Sequence, residues 1–396
     1  MRLNHYVMEK LIASFHDDIK RTDTTFVRFL HSEIAWDARL IAILGARGVG
    51  KSTLLLQHIK MHDNLNETLY VSADDLYFIS RTILELAESF YRLGGKRLYV
   101  DEIHKYQNWS YEVKQIHDHM PELKVVYTGS SILDLEKGGA DLSRRKLEYH
   151  MPGLSFREYM AIAHGVVLPR ASLTDITQHK VEWPDELRPL TFFKEYLRTG
   201  YYPFFKEPGY LSRLKAVIDT TLEVDIPQFA NYTVATARKL RTLLHIIAQS
   251  VPFKPNMSKL AKEISLSRNE LANIFIYLEK AGLISQLRAD TSGVRLLAKP
   301  EKVYLSNTNL AYALSETVPE IGNLRETFFM ATTSVLYSTT SSAASDFMIG
   351  DLTFEVGGRH KGGKQVENIP NSYIVKDDIE RGALRTLPLW TLGMLY

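Results

Sequence analysis

Short apolar runs alternate with helical stretches in the N-terminal part of the chain. The run Leu40–Leu44 is apolar and partly β-branched, which is typical of a buried parallel strand. Similar runs recur at Thr68–Ser72, Arg97–Val100 and Lys124–Tyr127, and Leu147–Met151 predicts a fifth strand. Helical stretches separate most of these runs. The alternation predicts an α/β domain built on a parallel sheet.

A helix-turn-helix pattern follows in the second half of the chain. Residues 258–267 predict a short helix and a turn, and Ser267 with Glu270 forms a capping-box pattern that begins a new helix. Four apolar residues fall on one face of that helix: Leu271, Ile274, Phe275 and Leu278. Gly282 is expected to cap its C-terminus.

Two apolar segments after this helix, Leu283–Arg288 and Val294–Leu297, predict the strands of a wing, so we expect a winged helix over residues 232–298. The second helix exposes a polar face: Arg268, Asn269, Asn273, Tyr277 and Lys280. Phosphate contacts supply most non-specific affinity for DNA, and this face has few cations. Two interpretations stay open, a DNA contact and a purely structural module.

The loop between the first strand and the helical stretch Thr53–Lys60 has the pattern G-x-x-x-x-G-K-S. It consists of Gly45, Ala46, Arg47, Gly48, Val49, Gly50, Lys51 and Ser52. Glycines let several backbone N–H groups converge, and the helix N-terminus adds partial positive charge. The pattern therefore predicts a site for nucleotide phosphates that includes Thr53. Lys51 is expected to reach the β- and γ-phosphates, and the Ser52 hydroxyl is expected to bind Mg²⁺.

An acidic pair, Asp101 and Glu102, ends the third predicted strand. Asp101 stands where a second Mg²⁺-supporting carboxylate is needed, and Glu102 is placed to orient or deprotonate the attacking water. Thr128 and Ser130 end the next strand. Either they contact the γ-phosphate or the lytic water, or they cap a helix that begins at Ile132.

The segment 143–146 is basic and offers Arg144 or Arg145 as a group that stabilises the transition state, in trans if the chain forms a homo-oligomer. The alternative is a solvated charged surface.

The overall composition excludes several classes of site. The chain has 396 residues with 48 basic and 46 acidic side chains, so no net charge draws it to nucleic acid or to an anionic membrane. It contains no cysteine, which excludes disulfides, thiolate metal sites and a cysteine nucleophile. No apolar run approaches the length that spans a bilayer, and the N-terminus is not a secretory signal. We expect a soluble cytoplasmic protein with no membrane partner.

Taken in order, the motifs of this chain resemble those of the AAA-like P-loop ATPases of bacteria and archaea. The resemblance rests on the glycine-rich loop and on six further segments: Asp101–His104, Thr128–Ser131, Pro152–Tyr159, Gly200–Pro203, Tyr304–Leu310 and Phe354–Arg359. Members of this family carry a winged helix and a C-terminal domain of unknown function whose fold is similar to restriction endonucleases. The resemblance spans nearly the whole chain.

The resemblance implies five regions. They are an N-terminal helical segment (1–24), a P-loop ATPase domain (25–158), a helical lid or linker (159–231), the winged helix (232–298) and a small α/β domain (299–396). Aromatic residues crowd the expected lid between Phe192 and Phe205. We interpret them as the lid core rather than as a stacking platform for nucleic acid.

In the C-terminal domain, the resemblance places three acids on a helix and two strands, at Glu326, Asp346 and Glu355. Three carboxylates in such a fold can hold Mg²⁺ and activate water. The companion lysine expected two residues after Glu355 is missing, because Gly357 stands there. Lys361 and Lys364 are the nearby substitutes. We expect a degenerate domain that does not cleave nucleic acid.

The sequence therefore predicts an ATPase that uses ATP and Mg²⁺ and drives or gates a conformational change in the C-terminal domains. ATP is favoured over GTP because the chain lacks a guanine-selecting Asn-Lys-x-Asp motif. Two alternatives stay open. One is a nucleotide-gated switch with little steady turnover, with ATP and ADP as its ligands. The other is a nucleic-acid processing enzyme with a C-terminal nuclease-like site.

Overall fold

The computed structural model forms two compact units, Met1–Pro152 and Gly153–Tyr396. The residues that the structure describes are 2–131, 141–230, 232–249, 252–289, 300–315, 317–362 and 366–396. Three sequence predictions lie outside these residues: the helix that begins at Ile132, the second wing strand at Val294–Leu297, and Lys364.

The first unit is built on a five-stranded parallel sheet. Its strands are β1 (Leu40–Leu44), β2 (Thr68–Ser72), β3 (Arg97–Asp101), β4 (Lys124–Gly129) and β5 (Leu147–His150). Their spatial order is β2-β3-β4-β1-β5, and every neighbouring pair is parallel. The interior strand β1 is buried along its whole length, as its apolar sequence predicts. The expected α/β fold with a parallel sheet is confirmed.

The sheet order has a consequence for the candidate site. In the chain, β2 separates the glycine-rich loop from the acidic pair, but β2 lies at the edge of the sheet. The strand that separates them in space is β4. Because β1, β4 and β3 are adjacent and parallel, their carboxyl ends meet at one edge.

Helices cover this sheet. They are α1 (Arg2–Arg21), α2 (Leu30–Glu33), α3 (Lys51–His62), α4 (Ile83–Arg92) and α5 (Trp109–His119). The first helix buries an apolar stripe, Met8, Leu11, Phe15 and Ile19, and contacts β2 and α3. The N-terminal helical segment is thus packed into the first unit.

The second unit begins with helices and short helical turns. The helices are α6 (Phe156–His164), α7 (Leu173–Thr177), α8 (Pro189–Thr199), α9 (Tyr210–Thr220) and α10 (Ile226–Ala230). The turn Leu389–Met394 contacts α6, α7 and α8. Arg157 Nε and Arg170 Nε donate hydrogen bonds to the backbone oxygens of Tyr396 and Leu395, at 3.1 Å and 2.8 Å. The expected lid and the last residues of the chain therefore share one core.

Three helices and a hairpin follow, namely α11 (Val234–Gln249), α12 (Met257–Glu263), α13 (Arg268–Lys280), β6 (Ile284–Leu287) and β7 (Lys302–Leu305). The capping box of Ser267 and Glu270 is present at the start of α13, and the four predicted apolar residues are buried. Gly282 follows α13 with a φ of 74°, in the left-handed region. The strand that pairs with β6 in antiparallel fashion is β7, which lies beyond the region assigned to the winged helix.

The chain ends in a mixed five-stranded sheet with two helices, α14 (Thr308–Leu314) and α15 (Ile321–Thr333). Its strands are β8 (Thr339–Ser341), β9 (Phe347–Ile349), β10 (Leu352–Gly357), β11 (Ser372–Lys376) and β12 (Thr386–Pro388). The spatial order is β12-β11-β10-β9-β8, parallel from β10 to β12 and antiparallel from β8 to β10. Helix α15 packs on β10.

Among the described residues, no helix combines the length and the apolar character needed to cross a bilayer.

Candidate functional site

The glycine-rich loop runs from the end of β1 to the start of α3. Gly48 and Gly50 have φ angles of 83° and 98°, a left-handed conformation that strongly favours glycine. A Cβ on Gly45 would stand 2.5 Å from the backbone oxygen of Met151. The glycines at these three positions are therefore required by backbone conformation and by close approach.

Lys51, the first residue of α3, is buried with 5% of its surface exposed. Its Nζ donates hydrogen bonds to the backbone oxygens of Gly45 and Ala46, at 2.9 Å and 3.0 Å. The ammonium group is thus held against the loop, where the sequence predicts that phosphate oxygens bind. Ser52 and Thr53 follow in the first turn of α3, where the helix N-terminus favours an anion.

Arg28 supports the loop from the N-terminal side, and the sequence analysis missed it. Its side chain is buried, and it donates to the backbone oxygens of Val49 (2.9 Å) and Pro152 (2.8 Å). The arginine therefore ties the loop to the segment after β5. No local pattern marks Arg28, because its partners lie 21 and 124 residues away in the chain.

The acidic pair lies at the end of β3. Asp101 is 4% exposed, and both of its carboxylate oxygens accept hydrogen bonds from hydroxyl groups. Tyr70 donates to Oδ2 at 2.8 Å, and Thr128 donates to Oδ1. These two hydrogen bonds fix Asp101 in position. Because both donors are neutral, neither contact pairs the Asp101 carboxylate with a cation.

Thr128 also organises Glu102. Its Oγ1 accepts a hydrogen bond from the backbone N–H of Glu102 at 2.9 Å, and Glu102 has a φ of 51°. Left-handed backbone is uncommon for glutamate and is often found at functional sites. Both roles proposed for Thr128 stay predictions, and in the structure its hydroxyl holds the acidic pair in position. Ser130 lies just beyond β4, at the same edge of the sheet.

The pKa values of Glu102 and of Tyr70, the donor to Asp101, are both raised. Burial is the main cause of a raised pKa of Glu102, with Asp101 adding to it and Lys51 opposing it. His104 Nε2 lies 3.4 Å from Glu102 Oε2. Burial and then Asp101 hold the pKa of Tyr70 well above its ordinary value, so its hydroxyl stays protonated and donates to Asp101.

The residues present fit a magnesium ion. Mg²⁺ prefers oxygen ligands, and Asp101 offers a buried carboxylate that two hydroxyls hold in place. Ser52 also belongs to this neighbourhood, because its side chain interacts with Tyr70, the donor to Asp101. Ser52 and Asp101 are therefore the residues that would hold the ion, which would neutralise phosphate charge when bound.

The two candidate arginines differ in their surroundings. Arg145 is paired with Asp118 through two hydrogen bonds, Nε to Oδ1 at 2.9 Å and Nη2 to Oδ2 at 3.0 Å. Arg144 lies in the same turn with its side chain exposed. Arg145 is thus engaged within the unit, and Arg144 is the better candidate to act in trans.

In the second unit, two of the three acids predicted by resemblance, Glu326 and Asp346, come together around a lysine. Lys302 Nζ lies 2.9 Å from Glu326 Oε2 and 3.0 Å from Asp346 Oδ1. Tyr304 donates to Glu326 Oε2 at 2.7 Å. Although burial lowers the pKa of Lys302, the two carboxylates outweigh it and the pKa is raised. The ammonium group therefore stays charged between the two acids.

A second lysine reaches the third acid. Lys361 Nζ lies 2.5 Å from Glu355 Oε1, and this ion pair raises the pKa of Lys361. The Lys361 Cγ lies 2.6 Å from the point where a Cβ on Gly357 would stand. Lys361 thus occupies the space of the companion lysine that is missing from position 357. The sequence analysis did name Lys361, but it missed Lys302.

Two further motifs, Gly200–Pro203 and Tyr304–Leu310, pack against each other through Asn309. Asn309 Oδ1 accepts from the backbone N–H of Tyr201 (2.9 Å) and from the Tyr210 hydroxyl, and its Nδ2 donates to the backbone oxygens of Tyr196 and Leu197. Phe193, Tyr196 and Tyr202 are buried. The rings of these three residues are therefore not exposed to solvent.

Comparison with known families supports the interpretation of the first unit. Residues 37–160 match the sequence profile described as an AAA domain, and residues 190–320 match that of a domain of unknown function (DUF8612). No curated protein matches the chain.

Three solved structures show distant similarity. C. elegans PCH-2 is 14% identical with a TM-score of 0.25, over 70% of this chain and 67% of that one. The S. cerevisiae Hsp104–ADP complex is 17% identical with a TM-score of 0.27, over 68% of this chain and 39% of that one. A DNA replication initiation factor is 16% identical with a TM-score of 0.28, over 62% and 79%.

The glycine-rich loop and the acidic pair lie at the same edge of a parallel sheet, and the match of residues 37–160 to an AAA domain supports an AAA-like P-loop ATPase interpretation of this region.

Proposed function

We propose that the first unit binds ATP with Mg²⁺ at residues 45–53 and hydrolyses it. The observation that carries this proposal is the juxtaposition of a glycine-rich loop and a fixed acidic pair at the carboxyl ends of β1 and β3, two parallel strands that flank β4. Backbone N–H groups and Lys51 bind the phosphates, and Ser52 and Asp101 hold the metal ion.

Glu102 is the proposed catalytic base. Its left-handed backbone and the hydrogen bond from its N–H to Thr128 fix the start of its side chain, and its raised pKa brings it closer to that of an effective general base. Glu102 orients a water molecule toward the γ-phosphate and accepts its proton as the new P–O bond forms and ADP leaves. Ser130 is proposed to contact the γ-phosphate.

The test is a comparison of nucleotide binding with phosphate release in Glu102→Gln. We expect ATP binding within about threefold of the unmodified chain and phosphate release lower by about 10²–10⁴-fold, because the amide cannot accept the proton. Glu122→Gln, at an exposed position of the same unit, is the matched control. Undiminished phosphate release in Glu102→Gln would remove Glu102 from this role.

We further propose that the nucleotide state drives or gates a conformational change in the lid (159–231), the winged helix (232–298) and the C-terminal domain (299–396). Limited proteolysis with ATP, ADP and no nucleotide tests this coupling. Distinct digestion patterns support it, and slow turnover combined with distinct patterns favours a regulatory switch over a motor. Identical patterns in all three states contradict it.

We propose two further interactions beyond nucleotide binding. One is a DNA contact through α13, and the other is a homo-oligomer in which Arg144 acts in trans. Both are tested by phosphate release at increasing protein concentration, with and without DNA or RNA. Turnover per chain that rises with concentration, and that Arg144→Ala abolishes, supports assembly. Stimulation by DNA that is lost at high salt supports contacts to phosphate.

For the acids of the second unit, we propose a structural ion network rather than a nuclease centre. The ammonium group of Lys302 lies between Glu326 and Asp346, so a metal ion would compete with it for the two carboxylates. Incubation of labelled duplex and single strands with Mg²⁺ or Mn²⁺ is expected to give no cleavage. Cleavage that disappears in Asp346→Ala with Glu355→Ala would establish the nuclease alternative.

A further inference from the structure

Three histidines of the first unit lie together away from the nucleotide site. His58 and His62 are four residues apart on α3, so they share one face of the helix, and His31 comes from α2. One ring nitrogen from each lies within 4.8 Å of the other two. His31 Nε2 and His58 Nδ1 are 3.1 Å apart.

We propose that His31, His58 and His62 bind one divalent transition-metal ion of the zinc class. Imidazole nitrogens suit Zn²⁺, Cu²⁺ and Ni²⁺. Zinc–nitrogen bonds of 2.0–2.1 Å put tetrahedral ligands about 3.4 Å apart. The first pair, 3.1 Å apart, is already close to this separation, and a side-chain adjustment of His62, the exposed member, would bring in the third.

The second nitrogen of His58 supports this assignment. His58 Nε2 is buried with no hydrogen-bond partner, and its nearest carboxylate oxygen is Asp63 Oδ1 at 3.8 Å. Metal-binding histidines almost always donate their other ring N–H to a carboxylate or a backbone oxygen. If Nδ1 bound the ion, Nε2 would carry the proton, and Asp63 Oδ1 is the carboxylate oxygen that lies near it.

Asp63 is itself held in place. Its side chain is 1% exposed, the Tyr99 hydroxyl donates to Oδ2 at 2.7 Å, and Arg97 Nε lies 3.4 Å from Oδ1. The carboxylate is therefore a fixed acceptor that can orient His58.

Trp36 fixes the plane of the His58 ring. The two rings stack with centroids 3.7 Å apart and an angle of 11° between their planes, and Trp36 Nε1 donates to the backbone oxygen of His31 at 2.9 Å. The His58 ring is thus oriented before an ion arrives, and the backbone of His31 is held beside it, which lowers the cost of assembling the site.

The ion would join α2 to α3, the helix that begins at Lys51 and Ser52. The two sites share that helix, but the metal proposal does not depend on nucleotide hydrolysis. It is therefore tested without nucleotide and without Mg²⁺.

The experiment is a zinc titration of the full chain after treatment with EDTA and desalting, read by competition with a chromophoric chelator. We expect one high-affinity equivalent of Zn²⁺ per chain. His62→Ala and His31→Ala are expected to weaken this equivalent by at least about 100-fold, because each removes a ligand. Asp63→Asn is expected to weaken it by about 10–100-fold. His119→Ala, an exposed histidine on α5, is the matched control and should bind like the unmodified chain.

A second readout locates the ion. Cu²⁺ or Ni²⁺ is expected to quench the fluorescence of Trp36 and to lose most of this effect in Trp36→Phe and in His62→Ala. Far-UV circular dichroism checks that each variant is folded. Absence of a high-affinity equivalent in the folded chain, or equal zinc affinity in His31→Ala, His62→Ala and His119→Ala, would overturn the proposal.

Discussion

Two clusters of carboxylates in this protein have opposite electrostatic settings. In the first unit, Asp101 accepts hydrogen bonds from the neutral hydroxyls of Tyr70 and Thr128. In the second unit, Glu326 and Asp346 share the ammonium group of Lys302, and Glu355 pairs with Lys361. The hydrogen bonds to Asp101 come from neutral groups, whereas each acid of the second cluster is paired with a lysine.

The difference shows why acidic residues alone do not define a metal site. Neutral donors orient a carboxylate without satisfying its charge, so a divalent cation still gains from binding. A lysine between two carboxylates already supplies that gain, and a metal ion would have to displace it. The same residue types therefore predict a working magnesium site in one unit and an ion network in the other.

The largest expected effect separates the two clusters by activity. Asp101→Asn keeps the shape of the side chain but removes its charge, so we expect Mg²⁺-dependent phosphate release to fall by about 10³-fold or more, which corresponds to about 4 kcal/mol. Asp346→Asn, the matched change in the second unit, should leave the rate within about twofold. Equal losses in both variants would contradict the contrast.

The next effect tests the neutralised cluster by stability. Lys302→Met leaves two carboxylates facing each other, and we expect the free energy of unfolding to fall by about 3 kcal/mol in urea titrations. Adding Glu326→Gln and Asp346→Asn to Lys302→Met should restore most of the loss. Mn²⁺ should stabilise Lys302→Met more than the unmodified chain. Unchanged stability in Lys302→Met would show that the network is not what neutralises the acids.

A smaller effect is expected at Thr128, which joins both members of the acidic pair. Thr128→Val leaves the partly buried Glu102 N–H without its acceptor, at a cost of about 1–3 kcal/mol. Phosphate release should fall by about 10–100-fold, since Glu102 loses its orientation. Thr174→Val, at an exposed position of the second unit, should change neither quantity. A normal rate in a folded Thr128→Val protein would remove the positioning role.

The smallest effect is a pH dependence. Burial raises the pKa of Glu102 above its ordinary value of 4.5. At pH values between 4.5 and this raised pKa, the folded chain therefore binds more protons than the unfolded chain. This residue's contribution to stability is therefore greatest below pH 4.5 and declines as the pH rises through that window. Glu102→Gln should lack this term, and the difference between the two stability curves isolates it. A difference of opposite slope would contradict the raised pKa.

Local features of the fold were predictable from the sequence. The apolar run Leu40–Leu44, the glycine pattern after it and the capping box at Ser267 each depend on neighbours in the chain. The confirmed parallel sheet follows from the alternation of such segments. The order of its strands does not, because β4 enters between β1 and β3 through long-range pairing.

The residues that position the side chains of the two carboxylate clusters could not be predicted from the sequence either. Arg28, Tyr70 and Lys302 belong to unremarkable local stretches, and each acts through contacts with residues at least 21 positions away. Thr128 was noticed only because it follows a strand. Residue types at the strand ends predicted where chemistry lies, whereas the hydrogen bonds that set the charge of each cluster required the folded chain.

The most direct test of the account is calorimetry of ATP binding in the presence of Mg²⁺, with Lys51→Ala as the comparison. We predict one binding event per chain that weakens markedly when Mg²⁺ is removed and that is lost in Lys51→Ala. Absence of ATP, ADP and GTP binding by the folded unmodified chain, or equal ATP affinity in Lys51→Ala, would contradict it.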